Sequence, residues 1–170
     1  MIFRLSTKLA AKLKVAPTTV LPLDANPLFD WSAHLFVANR LQFILVTNTA
    51  SLYSVLLSGR GIARHEEFIE RALGALRELL ETDGHSLIYN ALIAAANNTF
   101  EMSKALNRSV TGSMNDMIFH AKYFLVERGL ALPEISQQLN DTPFSSLKFV
   151  NPREAFEKLI KDHAKLPRDE

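Results

Sequence analysis

Three consecutive apolar runs in the first third of the chain have the length and composition of β-strands. They read WSAHLFVA, LQFILVTN and SLYSVLLSG, and Asn39-Arg40 and Asn48-Thr49-Ala50 separate them. Short polar links between such runs predict hairpins, so we expect a three-stranded antiparallel meander. The middle run, 41–48, is apolar on both faces, which predicts a central strand that is covered on both sides.

Helical periodicity marks most of the remaining chain. From 63 to 82, apolar residues fall on one stripe and charged residues on the rest, until Asp83-Gly84 ends the pattern. Residues 86–96 are apolar nearly all round, so we expect a second helix that is deeply packed. A third helix is predicted over 113–128, with Gly129 as its stop. Shorter helices are predicted at KLAAKLK, PEISQQL and PREAFEKLIKDHAK, and further strands at IFRL and TFEMSKAL.

Together these elements predict an α+β fold. We expect one domain over residues 1–165, in which an antiparallel sheet with strand 41–48 at its centre is covered by several helices. Prolines at every fifth position predict an extended connector over 15–30. The last residues, 166–170, are expected to form a charged C-terminal tail.

The composition limits the classes of protein to which this chain can belong. The 170 residues are 48% hydrophobic and 22% charged, which is typical of a globular domain. The absence of cysteine excludes a disulfide scaffold, a thiolate zinc site and a cysteine nucleophile, and it suits a reducing cytoplasm. The N-terminus lacks the apolar core of a signal peptide, and no run approaches the roughly 20 apolar residues of a membrane span. We therefore expect a cytoplasmic protein that does not enter a membrane.

The stretch NRSVTGSMND, residues 107–116, has two interpretations. Ser113 and Asp116 have the spacing of a reciprocal helix cap, in which each side chain accepts an amide hydrogen bond. The alternative is an anion site at the positive end of the helix dipole. Its groups would be the exposed amides together with Arg108, Ser109, Thr111 and Gly112. The stretch contains neither a nucleotide P-loop nor GxGxxG.

The histidines predict no metal site. No two of the five lie at the i, i+4 spacing of a helical zinc site, so we expect no metal and no cofactor. His120, at the edge of the apolar stripe of the third helix, could be a general base or a half-buried, hydrogen-bonded side chain. His34 lies on a strand near Trp31, where a packed boundary histidine is the default.

Basic residues near the N-terminus raise the question whether the protein binds nucleic acid. Arg4, Lys8, Lys12 and Lys14 could touch phosphates, but a solvated amphipathic helix explains the same charges. The formal net charge is only +1, so nucleic-acid binding is disfavoured.

Three segments resemble a known family. They are MIFRLSTKLAAKL, DWSAHLFVANRLQFILVTNTASLYSVLL, and NRSVTGSMNDMIFHAKYFL followed by LNDTPFSSLKF. They resemble a bacterial family of single-domain proteins whose function is not assigned, over residues 2 to about 150. The resemblance implies no activity, cofactor or catalytic residue. His34 stands where the family pattern implies asparagine.

Three functions remain open. The first is a non-enzymatic interaction or regulatory domain that binds a protein partner or a second copy of itself, since no catalytic constellation is visible. The second is an enzyme or binding protein for a phosphorylated or nucleotide-like small molecule. Its site would combine Arg108, Ser109, Ser113, Asn115 and His120 with Trp31, His34 or Tyr53. The third is a nucleic-acid-binding module.

Overall fold

The computed structural model describes residues 1–163, without the side chain of Ala95. Its strands are β1 (Ile2–Leu5), β2 (Asp30–Ala38), β3 (Leu41–Asn48), β4 (Ser54–Ser58) and β5 (Glu101–Lys104). Its α-helices are α1 (Thr7–Lys12), α2 (His65–Thr82), α3 (Ser86–Ala96), α4 (Arg108–Val126), α5 (Leu132–Asp141) and α6 (Pro152–His163). Short 3-10 helices lie at Pro27–Phe29 and Ser145–Leu147. The predicted charged tail, 166–170, lies outside the described residues.

The described strands form one mixed sheet with the order β4-β3-β2-β1-β5. The predicted meander is confirmed, because β2 pairs antiparallel with β3 and β3 pairs antiparallel with β4. The α+β class and the single domain are confirmed as well. The prediction that 41–48 is the centre of an all-antiparallel sheet is wrong. The short strands β1 and β5 extend the sheet in parallel, so β2 occupies its middle.

The link between β2 and β3 is a two-residue hairpin. Asn39 and Arg40 both have positive φ, 47° and 64°, as a type I′ turn requires. The turn places Ala38 opposite Leu41 and sets the register of the whole pair. In that register Phe43 and Leu45 face one side of the sheet while Ile44 and Val46 face the other.

Each face of the sheet carries an apolar core. Helices α2, α3 and α6 cover the face that includes Ile44, whereas α4 and α5 cover the face that includes Leu45. The prediction that strand 41–48 is covered on both sides is therefore confirmed. The prediction that the helix over 86–96 is deeply packed is wrong: Leu87 is 70% exposed, because only one side of α3 reaches α2 and the 3-10 helix at Pro27–Phe29.

A buried ion pair joins β1 to β2. Arg4 Nε and Nη2 donate to the two carboxylate oxygens of Asp30, each at 2.7 Å. The remaining guanidinium hydrogens reach the carbonyl oxygens of Leu21 (2.8 Å) and Pro22 (2.9 Å) and, at 3.4 Å, the hydroxyl of Ser103. All five donors of an arginine are thus used. The grouping of Arg4 with exposed, phosphate-contacting lysines is wrong, because this side chain is enclosed in the protein.

Side chains of α5 cap the outer edge of β4. Asn140 Oδ1 accepts a hydrogen bond from Ser54 N (2.8 Å), and Asn140 Nδ2 donates to Ser54 O (2.9 Å). Ser136 Oγ accepts from Leu56 N (3.0 Å). An exposed edge would present these groups to another chain, so α5 closes this side of the sheet to strand addition.

Replacing Asp30 with Asn should destabilise the fold strongly. The change leaves the buried guanidinium of Arg4 without its counter-charge, so the free energy of unfolding in urea at pH 7 should fall by about 3–5 kcal/mol. Burial opposes ionisation of Asp30, but hydrogen bonds from Arg4, Asp24 and Thr49 and the charge of Arg4 together outweigh it and hold the pKa of this carboxyl below its ordinary value. The wild type should therefore lose this contribution as the pH falls below about 4, and the variant should lack that part of the pH dependence.

The matched control is Asp162→Asn, which changes an exposed carboxylate on α6. It should leave the free energy of unfolding within about 0.5 kcal/mol of the wild type. Wild-type stability in Asp30→Asn would contradict the structural role of the pair.

Replacing Asn140 with Ala should also destabilise the protein, because Ser54 N–H and C=O lose their partners inside the protein. Two such groups correspond to a loss of about 2–4 kcal/mol in thermal or urea unfolding. Gln138→Ala on the exposed side of α5 serves as the control and should have little effect. Equal stability of the two variants would show that the cap is dispensable.

Candidate functional site

Helix α4 begins earlier than the sequence pattern indicates. Asn107 is its N-cap, with extended backbone and with its Oδ1 accepting a hydrogen bond from Val110 N (3.0 Å). The predicted start at 113 and the reciprocal cap of Ser113 and Asp116 are therefore wrong. Asparagine caps a helix as well as serine does and stands six residues earlier, so the helix has already formed when it reaches Ser113. There the hydroxyl of Ser113 donates to Ser109 O within the helix (3.2 Å).

Two of the predicted site residues lie in the core on the far side of the sheet. Trp31 is fully buried, and its indole Nε1 donates to Leu28 O (2.9 Å). The ring of Tyr53 stacks on Phe156 with 4.4 Å between ring centroids, and its hydroxyl donates to Asp83 Oδ2 (2.5 Å). Both side chains point away from α4.

Tyr53 belongs to a polar network that ties the ends of three helices together. Asp83, just after α2, forms an ion pair with Arg153 of α6 and accepts a hydrogen bond from Gln137 of α5 (3.2 Å). Burial opposes ionisation of Asp83, but hydrogen bonds from Arg153, Tyr53 and Gln137 outweigh it and hold the pKa of its carboxyl below the ordinary value. The network therefore stabilises the packing of these helices on the sheet.

Apart from His34 on β2, the remaining predicted residues lie along α4. Arg108 and Ser109 are exposed in its first turn. His120 is half-buried further along, where its ring makes edge contacts with Phe119 and Phe144 at centroid distances of 6.0 and 5.7 Å. Asn115 lies between them, on the side of the helix that faces the open part of the sheet.

The structure brings Asn115 and His34 together at one cavity. This cavity has a volume of about 870 Å³ and lies between α1, α4 and strand β2. Thr7, Lys8 and Ala11 line it from α1, while Met114, Ile118 and Lys122 line it from α4. Neither Arg108 nor His120 is among the lining residues. We call this space the α1–α4 cavity.

One wall of the α1–α4 cavity is an unpaired strand edge. Strand β1 pairs with β2 only as far as Leu5 and Ala33, whereas β2 continues to Ala38. Hydrogen bonding in an antiparallel pair alternates, so the main-chain groups of Leu35 and Val37 point away from β3, towards the position that β1 has vacated. Leu35 N donates to Ser6 Oγ at 3.4 Å. Within residues 1–163, the carbonyl of Leu35 and both main-chain groups of Val37 have no partner.

The charged side chains of the α1–α4 cavity are basic. Among its lining residues, all of which belong to the described part of the chain, there is no aspartate or glutamate. Arg4 is already neutralised by Asp30, but Lys8 and Lys122 form no ion pair with any described residue. The ammonium of Lys122 lies 6.0 Å from the centre of the Phe36 ring. The cavity therefore offers two free positive charges beside main-chain donors and acceptors.

His34 is a neutral group in this setting. Burial lowers the pKa of its imidazole below the ordinary value, and the positive charge of Lys8 lowers it further. At pH 7 the ring can therefore donate one hydrogen bond and accept another. It supplies no third positive charge to the cavity.

A second cavity, of about 650 Å³, lies over β4 between α2 and α5. Glu70, Glu78 and Glu134 stand on its rim with Arg71, and its floor is apolar. It contains none of the predicted site residues, and α5 caps the strand edge beneath it.

A protein-family model described as Domain of unknown function (DUF6933) matches residues 2–155. The chain belongs to this family. No curated protein and no solved structure is significantly similar to the chain.

Two further findings on the described residues of this DUF6933 domain concern membrane spans and metal binding. Its helices include none that is long and apolar enough to cross a membrane. Residues 1–163 likewise hold no group of three or more histidine, aspartate or glutamate side chains arranged to bind a metal ion.

Two features of the DUF6933 site were missed by reasoning from the sequence. Lys122 was not singled out in the sequence, and Lys8 was considered only as a contact to nucleic acid. Lys12, its neighbour one turn away, donates to Gln42 Oε1 instead (2.7 Å). The unequal lengths of IFRL and the strand-like run that begins at Trp31 were the signal that could have indicated an unpaired edge.

His34 should titrate below its ordinary pKa of about 6.5 in an NMR titration of its ring protons. Lys8→Gln should raise that pKa, because it removes a nearby positive charge but leaves the burial unchanged. Lys158→Gln on α6, which lies across the sheet from the α1–α4 cavity, should leave the His34 titration as it is. A rise of equal size in both variants would contradict the proximity of Lys8.

Proposed function

We propose that this domain is a non-enzymatic binding protein whose ligand carries a carboxylate or phosphate group, and that it holds this group in the α1–α4 cavity. The single observation that carries the proposal is the pair of lysines, Lys8 of α1 and Lys122 of α4, that line one cavity whose lining bears no carboxylate. An anionic ligand in the cavity would gain charge-assisted hydrogen bonds from these lysines.

The volume of the cavity suits this role. At about 870 Å³ it lies within the range of cavities that enclose small molecules or a few residues of a chain. Met114 and Ile118 supply apolar contact area, while Asn115, Thr111 and His34 supply hydrogen-bonding groups. Such a mixture gives orientation as well as affinity.

The two serine hydroxyls of the cavity support binding over nucleophilic chemistry. Ser32 Oγ is engaged with Thr49 Oγ1 (2.9 Å), and Ser6 Oγ accepts hydrogen bonds from Leu9 N and Leu35 N. Neither hydroxyl is hydrogen-bonded to His34, the histidine that lines the cavity.

Binding can be tested with three simple anions: inorganic phosphate, citrate and AMP. Titration of the ¹⁵N-labelled protein with each should shift the amide signals of 34–37 and 110–115 for at least one of them. In the double variant Lys8→Gln/Lys122→Gln, the dissociation constant of that anion should rise at least about tenfold, since each lost charged hydrogen bond contributes about 1.5–3 kcal/mol.

The control is Lys158→Gln/Lys161→Gln, which removes the same total charge from the exposed side of α6. It should bind as the wild type does. The proposal fails if no anion shifts these signals, or if both double variants lose affinity equally and the effect is one of net charge.

A further inference from the structure

Building on the proposed function, we infer that the ligand of the α1–α4 cavity is the C-terminal end of a partner polypeptide. Its last residues extend along the free edge of β2, and its terminal carboxylate lies at the closed end of the cavity, beside Lys8. The ligand adds a short strand in line with β1, and it runs antiparallel to β2.

The main-chain groups on the edge have the spacing of a strand. Leu35 C=O, Val37 N–H and Val37 C=O lie on one side of β2, and residues two apart in a strand are about 7 Å apart. An extended peptide repeats its own donors and acceptors at the same interval, whereas a compact anion can satisfy only one end of the row. Strand addition of this kind supplies affinity through main-chain hydrogen bonds and leaves specificity to side-chain pockets.

The domain covers its other sheet edges with its own groups. Asn140 and Ser136 occupy the outer edge of β4. At the opposite edge, Lys104 N of β5 donates to Thr19 O in the connector (3.1 Å). On β2, by contrast, Leu35 C=O and both main-chain groups of Val37 have no partner within residues 1–163, and both residues line the α1–α4 cavity. The fold therefore occupies main-chain groups on two edges with its own atoms and leaves those of Leu35 and Val37 accessible.

The free edge of β2 is closed at one end, which explains why the end of a chain fits there. Ser6 N donates to Ala33 O (2.9 Å), and Ser6 Oγ accepts from Leu35 N, so β1 and the start of α1 block the path beyond Leu35. A strand that enters past Val37 must stop there. Lys8 follows Ser6 by two residues and lines the same cavity, so a terminal carboxylate at this end would neutralise the charge of Lys8.

The two helices flank the free edge from opposite sides. Side chains alternate along an extended peptide, so successive residues of the ligand would face Met114 and Ile118 on α4 and then Thr7 and Ala11 on α1. Lys122, next to Phe36, would lie beside an upstream residue of the ligand. We therefore expect an apolar or acidic side chain at the position that faces α4.

The first experiment uses a pooled library of random hexapeptides with free C-termini. The wild-type domain should retain a subset of them, as read by mass spectrometry after affinity selection. The best peptide, resynthesised with an amidated C-terminus, should bind at least about tenfold more weakly, because it has lost its charge. In a series of peptides that each carry one N-methylated main-chain amide in the last three residues, at least one peptide should lose affinity to a similar degree.

The second experiment changes the edge itself. Val37→Pro removes the free edge N–H, which the fold does not use, and proline is tolerated at unpaired strand positions. It should weaken peptide binding at least about tenfold. Val37→Ala is the matched control, since it keeps the N–H and shortens a side chain that is 53% exposed. It should bind within about threefold of the wild type. The methylation series tests the same hydrogen bonds without relying on the stability of the proline variant.

The outcomes separate the two proposals. If anions bind and need Lys8 and Lys122, but no peptide is retained or the retained peptides ignore amidation and Val37→Pro, the cavity is a small-anion site and the inference of a peptide C-terminus is wrong. If neither anions nor peptides bind there, the proposed function itself fails. Loss of peptide binding in Val37→Pro, with retention of phosphate binding, would support both.

Discussion

The buried pair of Arg4 and Asp30 is the constraint on which the arrangement of this domain depends. It crosses from β1 to β2, reaches β5 through Ser103, and holds the connector through the carbonyl groups of Leu21 and Pro22. Desolvation of two charges opposes much of their attraction, so such a pair contributes more to a unique arrangement than to net stability. Here it determines how a short, otherwise ambiguous strand aligns with the rest of the sheet.

That alignment has a direct consequence for the candidate site. With Arg4 level with Ser32, β1 must end opposite Ala33, and the chain turns into α1 at Ser6. Strand β2 is longer than its partner, so its last residues keep one edge unpaired. The α1–α4 cavity is therefore the space left by a strand that stops early, and its binding groups are main-chain atoms and two lysines.

The two faces of the sheet have separate roles. On the far face, Tyr53, Asp83 and Arg153 form a network that locks α2 and α6 together, and Trp31 packs on Phe156. Aromatic side chains that look like ligand contacts in the sequence are structural there. On the near face, α4 covers only part of the sheet, and the candidate ligand groups lie where this cover ends.

The local sequence pattern was sufficient to predict much of the fold. The meander, its turn at Asn39-Arg40 and helix α2 follow from alternation, turn residues and a helical stripe, all of which act over a few residues. The family resemblance was also readable from the chain, because its motifs are local. The start of α4 was not, since Asn107 and Ser113 are equally good caps and local sequence does not choose between them.

Contacts between distant segments decided the rest. Residues far apart in the sequence are joined in the pairing of β1 and β5, in the burial of Arg4 and in the lining of one cavity by Lys8 and Lys122. A basic residue on a short segment has the same local pattern whether it is solvated, paired in the interior or turned towards a ligand. The sequence by itself determined the elements and the family, whereas only the tertiary structure decided which charges are neutralised and which strand edge stays open. Pairing and charge compensation depend on partners that no local pattern identifies.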